Sequence, residues 1–134
     1  DSYRWALEKL RQDQALVMFP EGARSHTGMR KGRPGIAHLA LASQAPILPV
    51  GITGTQGLGS VLRVFNPTGK IRIQIGTPFT LPNIEGNVNK EILDSITDTI
   101  MGRVADLLPV SYQGAYPRRK WDNVDESNNN SSID

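Results

Sequence analysis

Residues 21–33 gather one carboxylate and four fixed positive charges into a single short stretch. Glu21 and Arg24 stand on either side of Gly22, within residues 19–25, which read FPEGARS. The remaining cations follow this heptad: Arg30, Lys31 and Arg33. An arginine guanidinium is a planar fork that binds phosphate through paired hydrogen bonds, whereas lysine acts as a point charge. The stretch therefore predicts a site for an anionic group such as a phosphate.

The heptad begins at the end of a predicted strand. Residues 15–19 form an apolar run with the length and composition of a buried strand. Pro20 stops this run, because proline lacks the N–H that a central ladder needs. Open α/β sheets bind ligands just outside the carboxyl ends of their strands, so the position suits a binding loop.

The rest of the chain reads as helices alternating with strands. Residues 3–11 and 36–43 each predict a short helix, the second with Pro34 in its first turn. Residues 46–52 predict an apolar strand, and the short connection before it favours a parallel pair. Residues 70–75 alternate strictly, as a strand with one solvent-facing side does. These elements predict an α/β fold class.

The clearest predicted element is a helix near the end of the chain. Its apolar residues recur every four positions: Val88, Ile92, Ile96, Ile100, Val104 and Leu108. Such a stripe predicts a helix face that packs in the core. Asn87 or Asn89 can cap the start of this helix, and Pro109 ends it.

Composition narrows the possible classes of protein. A chain of 134 residues holds at most one domain, and the lack of cysteine excludes a disulfide framework and thiol chemistry. No stretch resembles a signal peptide, and the apolar run at 36–52 is too short and interrupted to span a bilayer. No metal-ligand spacing is present, so no metal site is predicted.

The heptad closely resembles a sequence block of a known family. FPEGARS is similar to FPEGTRS of the glycerolipid acyltransferases, the 1-acylglycerol-3-phosphate acyltransferases and their lysophospholipid relatives. Lys31 and Gly32 stand where the family has Lys-x-Gly, and residues 45–50 (APILPV) resemble a later apolar block. Residues 107–109 and 112–116 are similar to the tail of bacterial members, so the resemblance covers roughly residues 3–117.

The resemblance also implies that a catalytic motif lies outside this sequence. Family members carry a catalytic His-x-x-x-x-Asp motif upstream of the heptad. In this chain the fifth residue after His26 is Lys31 and the fifth residue after His38 is Ser43, so neither histidine is followed by the required aspartate. No catalytic residue is therefore assigned, and this chain alone is expected to be inactive. Residues 1–117 are interpreted as the C-terminal portion of an acyltransferase domain, with a partial mixed sheet flanked by helices. Residues 118–134 are predicted to be a polar, disordered tail.

Five residues form the predicted substrate site: Glu21, Gly22, Arg24, Ser25 and Lys31. In the family resemblance, Arg24 holds the phosphate of the glycerol substrate and Glu21 belongs to the same binding group. Alternatively, Arg24 caps the loop or pairs with Glu21, and Glu21 has a purely architectural role. Gly22 supplies a backbone conformation that a Cβ would hinder. Ser25 either caps the turn or touches phosphate, and Lys31 either binds phosphate or faces water.

Three other side chains near these residues are given no catalytic role. Ala23 departs from the threonine common in the family, so a hydroxyl is lost. His26 is adjacent to a serine, but neighbouring loop residues rarely form a nucleophile and base pair. His38 lies inside an apolar helix, where a satisfied core histidine is the more common outcome.

The resemblance implies a function for the parent protein. It would transfer a fatty acyl group from acyl-CoA or acyl-carrier protein to 1-acylglycerol-3-phosphate, a step of phospholipid biosynthesis. No cofactor is implied, because the acyl thioester is the donor substrate. The partners are a lysophosphatidic-acid-type lipid and a peripheral membrane surface, which places the parent protein at the cytoplasmic face of a membrane.

The net positive charge supports an alternative function from a different class of protein. Residues 1–121 carry 15 basic and 9 acidic side chains, a formal charge of +6. Such a surface suits a noncatalytic binder of anionic lipid or membrane, or is simply a solvated cationic face. Nucleic acid is not predicted as a partner, because only three Tyr, three Phe and two Trp could stack on bases and no nucleic-acid motif is present.

Overall fold

A computed structural model describes residues 2–23, 25, 27–55 and 70–117 of the chain. The described part contains three α-helices and two short strands, followed by a 3₁₀ turn at Val110–Tyr112. In chain order these elements are α1 (Ser2–Arg11), α2 (Gly35–Ser43), β1 (Val50–Thr53), β2 (Arg72–Ile75) and α3 (Lys90–Ala105). Helices with a small sheet agree with the predicted α/β class, whereas the larger mixed sheet of an acyltransferase stays a prediction.

The two short helices confirm the sequence interpretation. Pro34 takes the position before α2 with φ −65°, which its ring fixes and which suits a helix start. α2 ends at Ser43, and the next residue, Gln44, has a left-handed backbone (φ 53°) and donates its N–H to the Ala40 carbonyl at 3.0 Å. This turn separates α2 from the extended residues that lead into β1.

α3 is the core helix, as predicted, and it is shorter than its apolar pattern. Asn89 caps it, since its Oδ1 accepts the Ile92 N–H at 2.9 Å. The buried face shares only Ile100 with the predicted stripe and consists of Leu93, Thr97, Ile100, Met101 and Ala105. A four-residue repeat drifts around a helix of 3.6 residues per turn, so the predicted stripe cannot stay on one face. Its other members within α3, Ile92, Ile96 and Val104, are only half-buried.

The parallel pairing predicted for residues 46–52 is wrong. β1 pairs antiparallel with β2, with Val50 opposite Ile75 and Ile52 opposite Ile73. An isolated bridge between Ile47 and Phe79 continues the same pairing, with N–H···O distances of 2.7 and 3.0 Å. The strand therefore finds its partner downstream in the chain, not across the helix that precedes it.

The strand predicted at residues 15–19 does not form. Within the described ranges no second strand pairs with these residues, and Val17 and Phe19 are 82% and 75% exposed. An apolar run becomes a strand only where another backbone supplies its hydrogen bonds, and that information lies outside the run.

The β1–β2 sheet packs on one face only. Gly51 lies against the chain that follows α3, where an added Cβ would come within 3.0 Å of Leu107 and Leu108. The opposite face carries four exposed aliphatic side chains: Val50, Ile52, Ile73 and Ile75. The alternation in residues 70–75 is real, but its apolar side is not the buried side that the pattern predicts.

The core beside residues 27–33, called the basic stretch below, is small. Met29, Met101 and Ala105 are buried together, and Val104, Leu108 and Tyr116 pack against them.

None of the described helices is both long and apolar enough to cross a bilayer. The predicted tail at 118–134 lies outside the described residues.

Candidate functional site

The FPEG part of the heptad forms a tight turn. The Gly22 N–H donates to the Phe19 carbonyl at 3.0 Å, and Gly22 has φ +67°. An L-residue with a side chain rarely adopts this left-handed conformation, whereas glycine does so without steric cost. This is the backbone role that the sequence predicts for Gly22.

Glu21 closes the loop that contains the predicted site. Its Oε2 accepts the Arg30 backbone N–H at 2.7 Å, a bond that spans nine residues. Hydrogen bonds to a charged carboxylate are short and stronger than neutral ones. Glu21 therefore holds the start of the basic stretch against the turn, which is the architectural alternative given for it above.

Arg33 is brought to the same turn although it lies outside the predicted binding set. Its backbone N–H donates to the Pro20 carbonyl at 2.9 Å. Its side chain then runs across Gly22, so that an added Cβ on Gly22 would lie 2.6 Å from Arg33 Nε and 2.9 Å from Cζ. The FPEG turn and the basic stretch thus form one surface, which spacing along the sequence does not reveal.

Lys31 is exposed, and the residue after it is firmly held. The Gly32 N–H donates to the Tyr116 hydroxyl at 2.9 Å, and that hydroxyl donates to Asp98 Oδ1 at 3.1 Å. Gly32 also lies close to α3, where an added Cβ would be 2.7 Å from Met101 Cγ. Gly32 is therefore fixed between the two cations Lys31 and Arg33.

Burial raises the pKa of Tyr116 above its ordinary value of 10.0, and the hydrogen bond to Asp98 and that carboxylate's charge act in the same direction. The Gly32 N–H opposes them, because it donates to the phenol oxygen. The neutral phenol is thus the form that the fold favours, and only this form can donate to Asp98.

Residues 112–116, which follow α3, hold the backbone of the basic stretch at Met29. The Met29 N–H donates to the Tyr112 carbonyl at 2.8 Å, and the Ala115 N–H donates to the Met29 carbonyl at 2.9 Å. Gln113 is 2% exposed, and its Nε2 donates to the Ala105 and Leu108 carbonyls at 3.2 and 3.1 Å. The buried amide thereby ties the segment to the end of α3.

Sequence reasoning assigned no role to Asp98, Gln113 or Tyr116. Residues 112–116 were noted only through the family resemblance. A tyrosine followed by Gln-Gly-Ala-Tyr carries no local pattern that points to a partner 84 residues earlier in the chain. These contacts depend on the tertiary fold.

The other predicted residues have different outcomes. Arg24 and His26 lie outside the described residues. Ser25 is half-buried, and its Oγ accepts the Thr27 N–H at 3.4 Å, which matches the capping alternative. His38 is exposed on α2, so the prediction that it is a core histidine is wrong; α2 turns this position away from its buried residues Ala37, Leu39 and Ala40.

The described part of this surface is chemically suited to binding an anion. Arg30, Lys31 and Arg33 are all exposed, whereas Glu21 already accepts a backbone hydrogen bond. Across the described ranges, no group of three or more His, Cys, Asp or Glu side chains could hold a metal ion. Several positive charges around a turn of fixed shape can hold a phosphate by hydrogen bonding and charge.

Comparison with known proteins gives a consistent set of relatives. The Acyltransferase family model matches residues 1–53, which include the heptad, α2 and β1. The mouse 1-acyl-sn-glycerol-3-phosphate acyltransferase alpha is 29% identical over 94 residues, covering 69% of this chain and 33% of the relative. The Saccharomyces cerevisiae 1-acyl-sn-glycerol-3-phosphate acyltransferase is 32% identical over 109 residues, covering 75% of this chain and 36% of the relative.

A plant relative is more similar over a shorter region. The 1-acyl-sn-glycerol-3-phosphate acyltransferase of Limnanthes douglasii is 50% identical over 42 residues, which cover 31% of this chain and 15% of the relative. The chain spans about a third of the mouse and yeast proteins, at 33% and 36% of their lengths. No solved structure is a significant match. The family model and the curated relatives agree with the resemblance carried by FPEGARS, and this chain belongs to the glycerolipid acyltransferase family.

Proposed function

We propose that this chain is the C-terminal part of a 1-acylglycerol-3-phosphate acyltransferase and binds the phosphate of the acyl acceptor. The observation that carries the proposal is the closure of the basic stretch onto the FPEG turn. The Arg30 N–H reaches Glu21 at 2.7 Å and the Arg33 N–H reaches Pro20 at 2.9 Å. The names of the mouse and yeast relatives supply the acceptor, 1-acyl-sn-glycerol 3-phosphate.

Each predicted site residue has a role in this proposal. Arg24 is the principal phosphate ligand, because its fork can donate two parallel hydrogen bonds to phosphate oxygens. Glu21 and Gly22 give the turn its shape, Ser25 caps it, and Lys31 adds a positive charge close by. The phosphate is thereby held at one fixed place, which orients the free hydroxyl of the glycerol.

The chemical step needs a base that these residues do not supply. By family resemblance, a histidine oriented by an aspartate upstream removes the hydroxyl proton, and the oxygen attacks the thioester carbonyl of acyl-CoA or acyl-carrier protein. The thiol leaves, and no cofactor takes part. General base catalysis of this kind contributes about 10²–10⁴-fold, and positioning of the acceptor contributes much of the rest.

We also propose that the parent protein works at the cytoplasmic face of a membrane. The formal charge of +6 on residues 1–121 favours attraction to anionic lipid headgroups. Both the acceptor and the product of the reaction carry acyl chains, so a peripheral position would bring the phosphate loop to its substrate.

The test is steady-state kinetics of the full-length protein with Arg24→Ala. We expect the KM for 1-acylglycerol 3-phosphate to rise about 10–100-fold, because a charge-assisted hydrogen bond contributes about 1.5–3 kcal/mol. The KM for acyl-CoA should change little. Arg4→Ala, an exposed position on α1, is the matched control for loss of one positive charge. Unchanged acceptor kinetics in Arg24→Ala would contradict the proposal, and acyl transfer by residues 1–134 alone would contradict the fragment interpretation.

A noncatalytic binder of anionic lipid is the second candidate. Exposed cations at 30–33 and the exposed apolar side chains Val17 and Phe19 favour it, since membrane surfaces bind both kinds of group. In this case, binding to vesicles that contain phosphatidic acid would persist in Arg24→Ala and weaken steadily with salt. A loss of binding confined to the Arg24 variant would favour the phosphate site.

A further inference from the structure

We infer that Arg33 is a second guanidinium of the phosphate site and favours a terminal phosphomonoester over a phosphodiester headgroup. The inference rests on the proposed function and deepens it. Arg33 is absent from the set of residues predicted from FPEGARS and Lys31. Its assignment comes from its position over Gly22.

Two contacts define the position of Arg33, one made by its backbone and one by its side chain. The backbone bond to the Pro20 carbonyl, at 2.9 Å, holds residue 33 beside the turn. Gly22 then leaves space for the guanidinium, whose Nε and Cζ lie 2.6 and 2.9 Å from where a Cβ would stand. Gly22 is itself exposed, and it has no side chain that would separate its backbone from the guanidinium. The guanidinium therefore lies on the surface of the turn that the heptad builds.

The charge of Arg33 is available to a ligand. Glu21 is the carboxylate of this turn, and it accepts a hydrogen bond from the backbone N–H of Arg30. Within the described ranges, no carboxylate forms an ion pair or hydrogen bond with the Arg33 guanidinium, and Arg33 is exposed. An exposed arginine whose backbone and side-chain stem are held at a turn can bind phosphate in the bidentate manner.

The N-terminal end of α2 adds positive electrostatic potential beside Arg33. Arg33 directly precedes Pro34, the cap of α2, and proline has no side-chain acceptor for the first N–H groups of the helix. The N-terminal end of a helix carries a partial positive charge. This end alone would not define a site, but it raises the preference of the Arg33 surface for an anion.

A guanidinium at this turn favours the more highly charged headgroup. A phosphomonoester carries about −1.5 to −2 at neutral pH and presents three terminal oxygens. A phosphodiester carries a single negative charge and has two such oxygens. Removing Arg33 should therefore affect 1-acylglycerol 3-phosphate more than 1-acylglycerophosphocholine.

The kinetic test compares Arg33→Gln, Arg33→Lys and the control Arg4→Gln in the full-length protein, with both acceptors. In Arg33→Gln we expect the KM for 1-acylglycerol 3-phosphate to rise about 10-fold or more, with a smaller change in kcat. Arg33→Lys should restore part of the affinity, because it keeps the charge but not the fork. Arg4→Gln should stay within about twofold, since exposed charges far from a ligand are screened. An unchanged KM in Arg33→Gln, or an equal loss for both acceptors, would overturn the inference.

A binding test separates this inference from the proposed function. NMR signals of the Gly22 N–H and Arg33 Nε–H are followed during titration of the full-length protein with sn-glycerol 3-phosphate and, separately, with inorganic phosphate. Saturable shifts of both signals, tighter with glycerol 3-phosphate, would support a headgroup site at Arg33 even if no acyl transfer were found. Equal affinity for inorganic phosphate would overturn the headgroup assignment, and an unmoved Arg33 signal would overturn the site. Circular dichroism of each variant checks the fold, and Arg33→Lys keeps the test available if Arg33→Gln unfolds.

Discussion

The basic stretch at 27–33 and the exposed face of the β1–β2 sheet both behave differently from what their residue types suggest. The polar stretch is firmly held, whereas the apolar face is uncovered. The stretch is polar and rich in glycine, yet its backbone is held at Met29, Arg30, Gly32 and Arg33. The sheet face is made of aliphatic side chains, yet Ile73 and Ile75 are 60% and 67% exposed. Hydrophobicity predicts that a residue can be buried, whereas burial itself requires a partner that the rest of the chain must supply.

Two kinds of contact account for the order of the basic stretch. Met29 anchors it in the core with Met101 and Ala105, and the Tyr116 hydroxyl accepts the Gly32 N–H. Each hydrogen bond contributes only about 0.5–1.5 kcal/mol, so the apolar anchor and several bonds act together. By contrast, a two-stranded sheet is marginally stable by itself and depends on packing against the end of α3.

The largest expected effect comes from removing the anchor of the basic stretch. Met101→Ala should lower the free energy of unfolding by about 2–5 kcal/mol, because Met101 is 1% exposed and its loss leaves a cavity. The cavity would lie beside Gly32, so the cations on both sides of that glycine should also lose their fixed positions. Urea denaturation measures the first effect, and amide hydrogen exchange at Gly32 measures the second. A loss below about 0.5 kcal/mol would mean that the core does not support this stretch.

This contrast also explains what could be predicted from the sequence. The three helices, the Asn89 cap and the positive φ of Gly22 follow from local rules, because each depends on neighbours within about four residues. The antiparallel pairing of β1, the side chain of Arg33 over Gly22 and the bond from Gly32 to Tyr116 join distant parts of the chain. No periodicity encodes them, so the sequence identifies the loop but not all the residues that shape it.

A smaller effect is expected from Tyr116→Phe. The change removes the hydroxyl that accepts the Gly32 N–H, so the free energy of unfolding should fall by about 0.5–1.5 kcal/mol, the net contribution of a typical hydrogen bond, because this donor is only partly buried. The KM of the full-length protein for 1-acylglycerol 3-phosphate should rise, because Lys31 and Arg33 flank this glycine. A stable variant with an unchanged KM would show that the bond does not position the cations.

The pKa of Tyr116 gives the same bond a pH signature. The folded state raises this pKa above 10.0, so the folded protein retains a proton that the unfolded chain loses near pH 10. The stability contributed by the phenol is therefore complete below pH 10 and is lost as the pH rises through the folded pKa. Urea denaturation from pH 8 upward should show this decline in the wild type and a smaller one in Tyr116→Phe. Asp98→Asn should also reduce it, since the Asp98 charge contributes to the raised pKa.

The smallest effect is expected on the exposed face of the sheet. Ile73→Thr keeps a β-branched side chain, although a smaller and more polar one, and Ile73 is 60% exposed. The free energy of unfolding of residues 1–134 should therefore change by less than about 0.5 kcal/mol. Ile100→Thr, at a position 2% exposed on α3, is the matched substitution and should cost far more. Urea denaturation of the two variants decides the comparison directly. A loss of 2 kcal/mol or more in Ile73→Thr would mean that something covers this face in solution, and the division between a held basic stretch and an uncovered apolar face would then fail.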